Sequence, residues 1–358
     1  MMQNGPGAKK LRLAFLGVGW IGRNRMQAVL AQPGNEACAV CDPSAEMIDA
    51  ALAVAPDAVR AGSLEELLGT RPDGVLIATP SALHAEQAIR ALDSGVAVFC
   101  QKPLGINGTE VAAVVEAARR NDRLLGADFS YRHTEAMQLV RRLIREGSIG
   151  RVYAADLTFH NAYGPDKSWF YDAALSGGGC VMDLGVHLVD LLLWTLGSPA
   201  LGAVRAELFA RGRRLHGRAD QVEDYAQATL EFETDQVARL TCSWHLHAGR
   251  DAVIGATFFG TEGALAFSNV AGSFYDFRAE LRRGTSREVL VSPPDAWGGR
   301  AAGEWAHRLA SDPGFNADAQ DFTRVADILD RIYENNCAQS DVESAFGHPG
   351  QSNDIAFR

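Results

Sequence analysis

Over roughly the first 125 residues, short continuous apolar runs alternate with amphipathic stretches. The runs Arg12–Leu16, Ala37–Cys41, Gly74–Thr79, Val96–Cys100 and Leu124–Asp128, with a short one near Ala58–Arg60, lack a polar face. Such runs suit parallel strands covered on both sides. The stretches between them carry helical spacing, and Ser63-Leu64-Glu65-Glu66 has the pattern of a capping box. Strand–helix alternation of this kind predicts a doubly wound parallel sheet, an α/β Rossmann domain.

The pattern changes after Arg132. A helix is predicted at Glu135–Glu146, a strand at Val152–Phe159, an aromatic loop from His160 to Leu175 and a helix at Cys180–Leu196. Strands then dominate: Ala203–Arg211, Asp224–Glu233, Ala238–His247, Ala252–Gly260, Gly263–Ser268, Phe277–Arg283 and Glu288–Val291. Glycines and charged residues punctuate them as in an antiparallel meander. Helical spacing returns at Glu304–Leu309 and Ala317–Glu334. The expected organisation is a lead-in over 1–10, a dinucleotide-binding domain over 11–130, and an α+β domain over 131–358 with a large, mostly antiparallel open sheet. Helices cannot cover all of such a sheet, so association into a dimer or tetramer through its open face is expected.

The first strand runs directly into Gly17-x-Gly19-x-x-Gly22, and Asp42 stands 20 residues beyond the last glycine, at the end of the second apolar run. This is the dinucleotide-binding fingerprint in its proper context. Gly17 allows the tight turn, Gly19 lets backbone approach a pyrophosphate, and Gly22 lets helix pack on strand. Trp20 and Ile21 lie in the same loop, at a helix N-terminus that offers unpaired N–H groups. Asp42 can accept both ribose hydroxyls and repel a 2′-phosphate, and Pro43-Ser44-Ala45-Glu46 offers no cation. NAD is therefore expected in preference to NADP, although Asp42 could equally cap the next helix.

Three further motifs could carry chemistry. Thr79, Pro80 and His84 follow a strand end, where open α/β sheets bind ligands; His84 is either a cofactor neighbour or a cap. Gln101 and Lys102 follow the next strand end, and Lys102 is either a solvated surface cation or a group that polarises a substrate oxygen. A desolvated lysine there would lose its proton more readily. After the run Gly177-Gly178-Gly179, Asp183 and His187 are spaced i, i+4, on one face of a regular helix. The pair is either a surface contact or an imidazole base oriented by a carboxylate.

Composition narrows the partners. With 358 residues, 47% hydrophobic and 22% charged, the chain reads as a soluble enzyme-like protein. A net charge of −10 argues against nucleic acid and anionic membrane surfaces. No apolar run is expected to reach the length of a membrane span. The six scattered cysteines, Cys38-x-x-Cys41 included, read as buried thiols of a cytoplasmic protein. His245-x-His247 would share a strand face but lacks a third ligand, so no metal is expected. Arg211, Arg213, Arg214 and Arg218 form a basic cluster, either a solvated loop or a phosphosugar or subunit contact.

Together the glycine loop, Thr79-Pro80 with His84, Lys102-Pro103, the Gly-rich segment with Asp183 and His187, and Val222-Glu223-Asp224 resemble the Gfo/Idh/MocA oxidoreductase family from about Leu11 to Glu334. The resemblance implies Lys102, Asp183 and His187 as a catalytic trio with His187 as acid/base, NAD or NADP as cofactor, and a sugar or polyol substrate. The implied reaction moves hydride between a secondary hydroxyl and nicotinamide. Alternatives are an NAD-shuttle glycosidase or epimerase without net redox change, and a non-enzymatic dinucleotide-binding sensor. One position departs: the family usually has Glu-Lys-Pro, and Gln101 brings an amide without the charge. Arg132 matches a family position near the crevice and either binds substrate or forms a structural ion pair. His160, Asn161, Tyr163 and Trp169 could line a sugar site, with core or surface roles open to Trp169 and His160.

Overall fold

The computed structural model describes residues 10–216 and 221–335; most of the lead-in, Arg218, Cys337 and the chain after 335 lie outside the described residues. The first unit is built from β1 (Leu11–Leu16), α1 (Trp20–Leu30), β2 (Asn35–Cys41), α2 (Ala45–Leu52), β3 (Val59–Arg60), α3 (Leu64–Gly69) and β4 (Gly74–Ile77). It continues through α4 (His84–Asp93), β5 (Ala97–Cys100), α5 (Gly108–Arg120) and β6 (Leu125–Ala127). Its strands pair in parallel in the order β3-β2-β1-β4-β5-β6. That is the doubly wound Rossmann order, whose chain reversal opens a crevice beyond the carboxyl ends of β1 and β4. The predicted cap at Ser63 forms, its Oγ accepting the Glu66 N–H at 3.2 Å; α2 is capped by Ser44, whose Oγ accepts the Met47 N–H at 3.4 Å.

After α6 (Glu135–Arg145) comes the second sheet, opening with β7 (Val152–Asn161), the short α7 (Ala173–Ser176) and α8 (Val186–Leu196). The strands β8 (Leu201–Ala210), β9 (Arg213–Arg214), β10 (Tyr225–Phe232), β11 (Val237–Ser243) and β12 (Ala252–Gly260) follow. Last come β13 (Gly263–Asn269), β14 (Phe277–Arg283), β15 (Ser286–Val291), α9 (Arg300–Ser311) and α10 (Gln320–Asn335). Their order is β15-β14-β13-β12-β7-β11-β10-β8-β9, antiparallel except for β11 on β7. Alternation sets the faces: Ala155, Leu157 and Phe159 of β7 point to the helical side and are buried. The opposite face carries cross-strand polar pairs such as Thr158–Thr241 and Asp156–Arg239.

Two features depart from the sequence pattern. The segment Ala173–Leu196 is apolar and helical enough to cross a membrane by length and composition, against expectation, yet 78% of its apolar window is buried in the protein. It is the core helix of the second unit. The C-terminal helices also return to the first unit. Ala302, Trp305, Ala306 and Leu309 of α9 join the core formed by Leu13, Phe15 and Phe99 under the first sheet. Trp305 packs where Gly74 and Gly126 lack side chains; a Cβ at either would stand 2.6 or 2.7 Å from the indole. The part of this sheet face that α1 and α2 leave open is thus closed by sequence lying beyond the second sheet.

Truncating this indole leaves a cavity between sheet and helix. Trp305→Ala is expected to cost about 3–5 kcal/mol of stability, read as a fall in the denaturant midpoint.

Candidate active site

A crevice of about 1140 Å³ runs from the glycine loop to the start of α8. This exceeds the roughly 300–1,000 Å³ of ordinary small-molecule pockets and leaves room for two occupants. One wall is the glycine loop. Gly17 has φ 81°, and a Cβ there would meet the Ala78 carbonyl carbon at 2.6 Å; one at Gly22 would meet the Gly17 oxygen at 2.0 Å. At Gly19 a Cβ would meet nothing within 4 Å, so bare backbone faces the crevice. That cradle fits a pyrophosphate against the N-terminus of α1. Trp20 (65% exposed) and Ile21 stand at its rim.

Asp42 lines the same wall. Its carboxylate accepts the Val18 N–H and the Ser44 N–H, each at 2.9 Å. It therefore braces the glycine loop and the next helix while each oxygen retains a lone pair for a ribose hydroxyl. Thr79, Pro80, Gln101 and Lys102 line the floor. His84 borders the crevice but is fully committed: its Nδ1 and Nε2 lie 2.7 Å from the carbonyl oxygens of Pro103 and Thr79. The expectation of a cofactor contact gives way to a clamp that ties two crevice loops together.

At the inner end Lys102 Nζ donates to the carboxylate and to the main-chain carbonyl of Asp183, both at 2.7 Å. Trp244 Nε1 donates to the other carboxylate oxygen at 3.1 Å. Among the described residues no hydrogen bond joins Asp183 to His187, which corrects the expected pair. The physical reason is competition: both carboxylate oxygens of Asp183, which lies in the π turn Val181–Gly185 before α8, are taken by Lys102 and Trp244. His187 instead packs edge-on against Tyr131, with ring centroids 4.9 Å apart, and its buried Nδ1 has no partner among the described residues. Burial first, then the charges of Lys102 and Arg25, hold its pKa well below 6.5. The imidazole is therefore neutral and able to take a proton.

Several expected substrate contacts lie elsewhere. Arg132 pairs with Asp190 through Nε at 2.7 and 2.9 Å and is flanked by Phe129 and Trp194, so it is a structural ion pair. His160 is on the open face of the second sheet, bonded to Ser243 Oγ at 2.8 Å and stacked near Tyr225. Tyr163 is exposed and donates to Asp251 at 2.6 Å, and the Asn161 side chain accepts the Tyr163 N–H at 2.8 Å; neither lines the crevice. Trp169 does line it, stacked on Phe170 at 3.8 Å. His245 and His247 lie past the end of β11, and His245 has φ 55°, so they share no strand face. Among the described residues no three His, Cys, Asp or Glu side chains converge on a metal site.

Residues 11–129 match the oxidoreductase family with the NAD-binding Rossmann fold, and 137–266 match the GFO/IDH/MocA C-terminal domain. The chain is 30% identical over 338 residues to the dTDP-3,4-didehydro-2,6-dideoxy-alpha-D-glucose 3-reductase of Streptomyces violaceoruber, covering 90% of this chain and 95% of that protein. It belongs to the Gfo/Idh/MocA oxidoreductase family. It is also 25% identical to the D-glucoside 3-dehydrogenase of Escherichia coli over 350 residues, 93% of this chain and 97% of that one. Levoglucosan dehydrogenase in complex with NADH and levoglucosan shares the fold, at TM-score 0.79, 23% identity and 93% and 98% coverage. So does a 3-ketoreductase from Actinomadura kijaniata in complex with NADP and TDP-benzene, at TM-score 0.78, 23% identity and 91% and 98% coverage.

In this Gfo/Idh/MocA protein the glycine run before Asp183 is held by Glu223, whose role the sequence alone does not disclose. The buried Glu223 carboxylate accepts the Gly179 N–H at 3.0 Å, the Val181 N–H at 2.8 Å and the Tyr333 hydroxyl at 2.9 Å. Any Cβ at Gly179 would meet the Glu223 carbonyl oxygen at 1.9 Å, so backbone sits on backbone there. A second buried network escaped the sequence pattern. Arg25 of α1 donates through Nε to Asp128 at 2.5 Å and through Nη2 to Ser130 at 3.0 Å. Gln101 Nε2 and the Ser130 hydroxyl also donate to Asp128, and all four residues line the crevice. The available signal was an arginine three positions after Gly22, on the helix that opens the crevice.

Replacing Glu223 by Ala removes the side-chain acceptor of the buried Gly179 and Val181 N–H groups. About 3 kcal/mol of destabilisation is expected, measured by denaturant unfolding, while Glu223→Gln, which keeps an acceptor, should lose less.

Proposed function

We propose that the protein is an NAD-dependent oxidoreductase acting on a secondary hydroxyl of a sugar or polyol. The observation that carries this reading is convergence: Lys102, Asp183 and His187 meet in the crevice that the glycine loop and Asp42 open. A nicotinamide bound there would supply the hydride acceptor, or the donor in the reverse direction. His187, held neutral by its surroundings, takes the hydroxyl proton. Lys102 stabilises the negative charge that grows on the oxygen. Asp183 holds Lys102 in place rather than orienting His187. Trp169, which also lines the crevice, offers an aromatic ring to sugar C–H groups.

NAD is favoured over NADP because the Asp42 carboxylate faces the ribose end. Arg23 also lines this end, beside Met47, and is the nearby cation that a 2′-phosphate would have to use. The named activities of the relatives, on glucosides and nucleotide-linked deoxysugars, support a sugar substrate. The complete trio favours catalysis over a sensor. We further read the protein as cytoplasmic and as a homo-oligomer that uses the helix-free face of the second sheet; light scattering tests the latter.

The decisive experiment follows NADH absorbance with NAD, NADP and a panel of sugars, glycosides, inositols and sugar acids. Reduction of NAD by one class supports the reading, and His187→Ala should then lose about 100-fold or more in turnover. Full turnover by that variant overturns the role of His187. The acid limb of kcat/KM should lie below 6.5, because the base stays unprotonated until the pH falls through its depressed pKa. Lys102→Met removes one depressing charge, so the limb of its residual activity should move upward.

A further inference from the structure

We infer that Asp128 is a positioning residue that sets the preference of the crevice for oxidised over reduced nicotinamide. This rests on the nicotinamide reading above and extends it to a residue outside the trio. Arg25 is only 8% exposed yet borders the crevice. A cation so placed opposes an oxidised nicotinamide ring, which is positively charged, and leaves the neutral reduced ring almost untouched. Its field reaches the far wall, since Arg25 is among the charges that keep His187 neutral.

Asp128, 1% exposed, supplies the offsetting charge. At the inner end Asp183 is already engaged by Lys102, and position 101, beside that lysine, holds an uncharged amide. The carboxylate that balances Arg25 is therefore the one at 128, gripped at 2.5 Å. It also fixes the polarity of the amide. Gln101 turns its Nε2 to Asp128 and gives it one N–H, which leaves Oε1 and the second N–H unengaged by that carboxylate. Ser130 bonds to Asp128 through its hydroxyl and receives Arg25 Nη2, so charge, counter-charge and amide form one network.

The test needs no substrate: dissociation constants of NAD+ and NADH are measured by calorimetry on purified protein. Asp128→Asn should weaken NAD+ roughly tenfold more than NADH, the scale of one unit charge acting across about 10 Å at an effective dielectric near ~20. Arg25→Gln should move the ratio the other way, and it decides the matter alone if Asp128→Asn fails to fold. The double variant Gln101→Glu/Asp128→Asn exchanges amide and carboxylate and should bring the ratio back toward wild type. A ratio unmoved in the single variants, with both affinities falling together, overturns the inference and leaves the proposed function standing. Wild-type protein that binds neither form overturns both.

Discussion

Lys102 follows β5 of the first sheet, and Asp183 sits in the turn that opens the core helix of the second, so their contact joins two separately built cores. Both side chains are about one-sixth exposed, at 17% and 16%. At that depth each charge has given up much of its hydration, and the pair holds only if its other valences are filled. All but one are: the ammonium also takes the Asp183 carbonyl, the second carboxylate oxygen takes the Trp244 indole N–H, and the third ammonium N–H is left for a substrate oxygen. Three elements, from β5, from the turn before α8 and from the end of β11, are thereby fixed about one carboxylate. The crevice owes its inner geometry to that meeting point.

How legible this was in the sequence depended on the range of the interactions involved. The first sheet was readable because strands buried on both faces leave uninterrupted apolar runs, and because the glycines at 17, 19 and 22 each answer a local steric demand. The second sheet was readable by alternation. Arg132 was not, since its partner Asp190 lies 58 residues away and nothing local reveals it. His160 follows the alternation of β7, which turns it away from the crevice, and a reading based on its aromatic neighbours missed that.

The pairing of Asp183 with His187 failed for a subtler reason. The i, i+4 rule can place two side chains on one face but does not say what else each meets there: Lys102 and Trp244 take the Asp183 oxygens, and His187 packs against Tyr131. Those competing partners of Asp183 lie 81 and 61 residues away along the chain, beyond the reach of local spacing. The result separates the trio into an ion pair and a buried imidazole kept neutral by its surroundings.

The return of α9 to the first sheet bears on how the chain reaches this state during synthesis. Domains that are continuous in sequence can fold as they leave the ribosome. Here the Rossmann unit emerges long before Trp305, and until then the sheet side formed by Leu13, Phe15 and Phe99 has only the partial cover of α1 and α2. A nascent chain stalled after β15 would present that apolar side to whatever it meets. The two units consequently mature together, and the last helices act as the closing step for the first.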